Sequence, residues 1–188
     1  MASWKELKAV CSQCTRCGLC ETRHNVVFGI GNENADILFI GEGPGEQEDL
    51  QGNPFVGPAG KLLDDMLTII DLDRRTNCYI ANIVKCRPPR NRDPLETEQE
   101  ACLGYLRKQV SLIRPKIIVC LGRIAAKKLI DADYRITRQH GQWVNKNGVW
   151  MTAIYHPSAL LRDVTKRPET FVDLLSIREK IRETGAKV

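Results

Sequence analysis

The sequence predicts an α/β protein, a single-domain α/β/α sandwich with a central four-stranded, mainly parallel sheet. Three observations carry this. Four short apolar runs stand out at 36-DILFIG-41, 78-CYIANIV-84, 116-KIIVCLG-122 and 149-VWMTAIY-155. They are nearly continuous rather than alternating, as strands buried on both faces are. Segments with helical spacing lie between them, and strands that alternate with helices pair in parallel through crossovers.

Each helix has its own apolar face. In 59-AGKLLDDMLTIIDL-72 the face is Leu62, Leu63, Met66, Leu67 and Ile70. In 95-LETEQEACLGYLRKQVSLI-113 it is Leu95, Leu103, Leu106, Val110 and Ile113. Gly122 opens a shorter helix, RIAAKKLI, and a last amphipathic helix follows Pro168 with Phe171, Leu174, Leu175 and Ile181. Residues 131–148 read as a hairpin or loop around Gly141 and 145-NKNG-148. There is no internal repeat or low-complexity tract, and 188 residues suffice for one domain with a sizeable core.

Composition narrows the class. With 43% hydrophobic and 27% charged residues the chain is ordinary for a soluble globular protein. No apolar run approaches the ~20 residues of a membrane span, and SWKELKAV lacks the pattern of a secretory signal. A cytoplasmic location is expected. Eight cysteines there point to metal or redox chemistry rather than disulfides. The net charge of +5 permits an anionic partner without demanding one.

Ligands of parallel sheets bind at the carboxyl ends of the strands, so the loops that follow the strands matter most. After the first comes 41-GEGPGEQED-49. A dinucleotide site of the G-x-G-x-x-G kind is disfavoured, because the third glycine falls one position early and Glu42, Glu46, Glu48 and Asp49 would repel a pyrophosphate. Bare backbone at Gly43 with nearby carboxylates suits close approach to a ligand and the orienting of water. Phe55, in 52-GNPFVGPAG-60, is either a core ring or a flat face for a planar ligand. Asn82 interrupts an apolar run, and a buried amide needs partners. The basic stretch of Lys85, Arg87, Arg90 and Arg92 is stiffened by Pro88 and Pro89, as a phosphate-contacting loop would be. The fourth strand runs into 155-YHPSALLRD-163, which brings His156, Leu160, Leu161 and Arg162.

GEGPGEQED, PFVGPAGKLL, NIVKCRPPRNRDP and HPSALLR, in this order, resemble the family 4 uracil-DNA glycosylases, the iron–sulfur branch of that superfamily. The resemblance runs from about Cys14 to the last helix. It implies a DNA repair enzyme that acts on uracil-containing DNA, single- or double-stranded, as a monomer away from membranes. It implies catalytic roles for Glu42, Glu48 and His156, and a uracil pocket of Gly43, Phe55, Asn82 and His156. DNA contacts would come from Lys85, Arg87, Arg90 and Arg162, with Leu160 or Leu161 as the intercalating wedge. A related class that stays covalently bound to abasic DNA uses a histidine in the loop after the second strand; no histidine lies between Asn82 and Pro94.

The stretch 11-CSQCTRCGLC-20 approximates a ferredoxin run but lacks its x₃ spacing and closing proline. The resemblance implies instead a [4Fe–4S] cluster on Cys14, Cys17, Cys86 and Cys102, tying the N-terminal segment to the basic loop. Spacing alone leaves a zinc Cys₄ site open. Cys78 and Cys120 read as small buried hydrophobes, and Cys11 and Cys20 as bystanders within ligand distance of the pair in sequence.

Overall fold

The computed structural model describes residues 3–188. Helix α1 (Trp4–Ser12) starts from a reciprocal cap in which Ser3 Oγ accepts from the Glu6 N–H and the Glu6 carboxylate accepts from the Ser3 N–H. There follow β1 (Ile30–Gly31), β2 (Ile37–Gly41), α2 (Glu46–Gln51), α3 (Pro58–Ile69), β3 (Tyr79–Asn82) and α4 (Glu96–Ile113). The second half contains β4 (Ile117–Leu121), α5 (Arg123–Leu129), α6 (Ile136–Gln139), β5 (Val144–Lys146), β6 (Val149–Ile154), α7 (Pro157–Arg162) and α8 (Arg167–Thr184). No described helix is long and apolar enough to cross a membrane.

The sheet has six strands in the order β1-β3-β2-β4-β6-β5, not four. The inner four, β3, β2, β4 and β6, are mutually parallel and are the predicted ones. The two additions are antiparallel edge strands. β1 is two residues long, and every residue of β5 is exposed, so neither carries the apolar run that marks a buried strand.

Alternation along the inner strands sorts the core into two layers. Ile37, Phe39, Ile80, Ile117, Val119 and Ile154 face α3 and α8, together with Leu160 of α7. Leu38, Ile40, Ala81, Ile118, Cys120 and Ala153 face α1, α4 and α5. Helix faces follow the predicted stripes with two exceptions. Leu95 lies outside α4 as its exposed N-cap, and Phe171 of α8 points to solvent while Leu174, Ile177 and Ile181 pack inward. Cys78 and Cys120 are fully buried, as small core residues are.

Parallel pairing sends the four inner strands out at one edge of the sheet. The segments that leave β2, β3, β4 and β6 there carry Glu42, Lys85, Arg123 and His156. The register aligns Gly41 with Asn82, which places the last residues of β2 and β3 side by side.

Candidate active site and cysteine cavity

Glu42, Gly43, Glu48, Phe55, Asn82, His156 and Arg162 line one open cleft at that edge. The structure therefore brings together every residue predicted for the pocket, from separate parts of the chain. Gly43 lets its loop pack against the segment that follows β3, because a Cβ there would stand 2.7 Å from Val84 Cγ2.

Glu48 is a clamp rather than a free carboxylate. Its Oε1 accepts from the N–H groups of Val56 (2.9 Å) and Gly57 (3.2 Å), and its Oε2 from that of Gly45 (3.1 Å). Both oxygens hold backbone, an arrangement that fixes the loop around them. The loop it grips contains Phe55, whose φ of 52° is left-handed. A non-glycine residue in that region costs about 1–3 kcal/mol and persists only where its surroundings enforce it. The Phe55 ring is buried and stacks on His156, with centroids 5.5 Å apart and planes at 30°.

Asn82 is 2% exposed, and its Oδ1 is buried with no donor. Such an acceptor is costly unless a ligand satisfies it. Gly41 makes the space for it: a Cβ at that position would sit 2.5 Å from Asn82 Oδ1 and 2.7 Å from Phe55 Cζ.

His156 caps α7 with its own ring. Nδ1 accepts from the Ser158 N–H at 3.1 Å and lies 2.7 Å from the Ser158 hydroxyl. A neutral ring that accepts at Nδ1 carries its proton on Nε2. Burial, assisted by the Arg162 guanidinium, pulls its pKa down to about 4, so the ring is neutral at physiological pH. Glu42 is shifted the opposite way. Burial and the neighbouring Asp93 carboxylate push it from its ordinary 4.5 to about 7, while Arg123 opposes them. Asp93 is itself ion-paired with Arg123. A carboxyl poised near neutrality in a cleft is suited to proton transfer.

Two residues expected at the DNA surface, Lys85 and one of the two leucines, are buried. Lys85 is 1% exposed and its Nζ donates to the Asn82 carbonyl at 3.0 Å, out of reach of any phosphate. Leu160 is core, whereas Leu161 is 41% exposed and is the one wedge candidate of the pair at the surface. Arg90 is exposed, held out by left-handed backbone at Arg90 and Asn91 after the two prolines. Arg87 donates to Asn91 Oδ1 (2.7 Å), and Arg92 pairs with Glu98 (2.7 Å).

On the other side of the β3 loop, Cys14, Cys17, Cys86 and Cys102 line a second cavity, with Cys11 and Cys20 also in its wall. Among the described residues no three His, Cys, Asp or Glu side chains converge as around a single ion; the cysteines surround a space instead. The setting suits thiolates. The Lys85 N–H donates to Cys102 Sγ (3.3 Å), and Arg23 donates to Cys86 Sγ (3.5 Å) and to the Cys14 carbonyl (2.6 Å). Burial pushes the Cys86 thiol up to about 11 against the pull of Arg23, so ionisation there calls for a compensating cation. Four cysteines, a backbone N–H donor and the Arg23 guanidinium fit a thiolate-held metal group.

An open cleft with a buried amide acceptor, a neutral histidine donor, an aromatic face and a perturbed carboxyl is the apparatus of an enzyme that binds a planar, hydrogen-bonding ring. Comparison with known proteins agrees. Residues 28–177 match the model of the uracil DNA glycosylase superfamily. The chain is 46% identical to a type-4 uracil-DNA glycosylase of Archaeoglobus fulgidus, over 95% of this chain and 94% of that one. It is 44% identical to another of Thermotoga maritima, over 87% and 88%, and 42% identical to one of Sulfurisphaera tokodaii, over 95% and 85%. The chain belongs to the type-4 branch of the uracil DNA glycosylase superfamily.

Asp93, Arg123 and Ser158 join the cleft without a motif of their own to mark them. Ser158 was within sight, two residues past the histidine it orients. Asp93, in the loop before α4, and Arg123, at the start of α5, meet only in the fold.

The opposite shifts of Glu42 and His156 are measurable by NMR of labelled protein. The Glu42 carboxyl titrates near pH 7, and Asp93→Asn, by removing a negative neighbour, lowers that midpoint. The His156 imidazole stays neutral until about pH 4. A Glu42 midpoint in the ordinary carboxylate range, unmoved by Asp93→Asn, would contradict the electrostatics described.

Proposed function

We propose that the whole chain is one monofunctional DNA repair glycosylase domain. It flips uracil out of DNA and hydrolyses the N-glycosidic bond, releasing free uracil and leaving an abasic site. The observation that carries this reading is the orphaned Asn82 Oδ1, in the same cleft as Phe55 and His156. Uracil supplies the missing donor from N3–H and takes the amide N–H at O4. Cytosine presents the reverse pattern at both atoms and would leave buried polar groups mismatched.

The chemistry follows from the same side chains. Breaking the C1′–N1 bond leaves a sugar cation and a uracil anion. Nε2–H of His156 donates to uracil O2 as its charge grows, the role of a preorganised oxyanion donor. Neutrality matters here, since the ring keeps its one pocket proton as a donor and does not have to lose it. Glu42 orients the attacking water and accepts its proton as the water oxygen bonds to C1′. Glu48 and Gly43 shape the loop on which this happens.

Flipping costs a few kcal/mol. Leu161 fills the vacated stack, and Arg90, Arg87 and Arg162 neutralise the flanking phosphates. Cys14, Cys17, Cys86 and Cys102 would hold a [4Fe–4S] cluster between the N-terminal segment and the basic loop, and its positive iron would offset the cost of buried thiolates.

Two measurements test the reading. Incubation with a uracil-containing oligonucleotide, followed by alkali, cleaves the strand at uracil; intact strand would overturn the assignment. Purified protein is brown, with broad visible absorption and about four irons per chain by the cluster's stoichiometry. A colourless protein with stoichiometric zinc would replace the cluster with a Cys₄ zinc site.

A further inference from the structure

Phe55 reaches the cleft from a backbone conformation that phenylalanine does not adopt unaided, and one side chain outside the cleft holds that backbone in place. Arg74, in the turn between α3 and β3, is 11% exposed and is not part of the cleft wall. Its Nη1 donates to the carbonyls of Phe55 (2.8 Å) and Pro54 (3.0 Å), its Nη2 to that of Gly60 (3.1 Å), and its Nε to Asp64 (2.6 Å). The Phe55 carbonyl lies over the first turn of α3 in space that only a glycine leaves, since a Cβ at Gly60 would stand 1.9 Å from it. Glu48 holds the next two N–H groups from the opposite side. The left-handed peptide is thus gripped through its carbonyls by a cation and through its amides by an anion.

We propose that Arg74 is a positioning residue for base recognition. It fixes the Phe55 backbone so that the ring lies flat beside His156, and it touches no part of the DNA. This builds on the uracil-excising reading above. A planar guanidinium is required, because three carbonyls and a carboxylate lie around one fork and an ammonium cannot serve them all.

The test compares Arg74→Ala, Arg74→Lys, Phe55→Ala and the double variant Arg74→Ala/Phe55→Ala in the full-length protein. The first readout needs no activity. The His156 ring protons lie against the Phe55 face, so their NMR shifts report where that ring sits. Arg74→Ala moves them toward the Phe55→Ala values, and Arg74→Lys moves them part of the way with the fold retained. The second readout is single-turnover excision from a uracil oligonucleotide. Arg74→Ala slows it by ~10–100-fold, the scale of a misplaced contact, with DNA affinity changed less than about 3-fold. In the Phe55→Ala background the same substitution adds less than about 2-fold, the non-additivity of residues that act as a unit. Unmoved His156 shifts in both Arg74 variants, or an equal loss with and without Phe55, would overturn the proposal. Shifts that move in a protein inert on uracil would uphold the positioning and overturn the enzymatic reading instead.

Discussion

The contact on which the site depends is the pairing of Gly41 with Asn82 at the ends of β2 and β3. A side chain at position 41 would run into both the Asn82 amide oxygen and the Phe55 ring. Its absence lets a hydrogen-bonding group and a flat apolar face occupy one corner. Parallel pairing then brings the β4 and β6 loops to the same edge, the first with Arg123 and the second with His156. The core, split into two layers by strand alternation, keeps these strand ends in register.

Charged groups of like type are assigned different work by their surroundings. Glu42 and Glu48 share one loop. Glu48 has three backbone donors and is tied to its loop, while Glu42 has burial and a carboxylate neighbour that raise its pKa to about 7. Arginine divides likewise between Arg23 on the cysteine cavity and the exposed Arg90. Short stretches of chain link the hydrogen bonds at the two cavities. Arg23 bonds to Cys86 and Cys14; next to it, His24 and Asn25 bond to the buried Asp49; Asp49 adjoins Glu48, which grips the Phe55 loop. Lys85 adds a shorter link, with its backbone on Cys102 and its ammonium on Asn82.

Much of this was legible in the sequence. The inner strands are buried on both faces and so appear as unbroken apolar runs, and loops after such strands are where ligands bind. That rule, with the motif order, located Glu42, Phe55, Asn82 and His156. What could not be read shares one cause: the information lies in what surrounds a residue. Lys85 belongs to a basic run in sequence, yet Val84 and Cys86 on either side are buried and carry it inward. Leu160 and Leu161 are adjacent on a helix and so point about 100° apart, one to the core and one to solvent. The edge strands are too short or too polar to leave a pattern. Arg74 lies in a charged turn, 73-DRR-75, with nothing to mark which arginine turns inward.

The central claim is that the unpartnered Asn82 amide reads the base. Its most direct measurement is excision from matched oligonucleotides containing uracil or cytosine, with wild-type protein and Asn82→Asp. A protonated carboxyl offers one oxygen as acceptor and the other as donor, and so can match the amino group and N3 of cytosine. Asn82→Asp should therefore excise cytosine at a rate the wild type does not reach, with uracil excision sharply reduced. A variant that still removes uracil at the wild-type rate and leaves cytosine untouched would contradict the assignment.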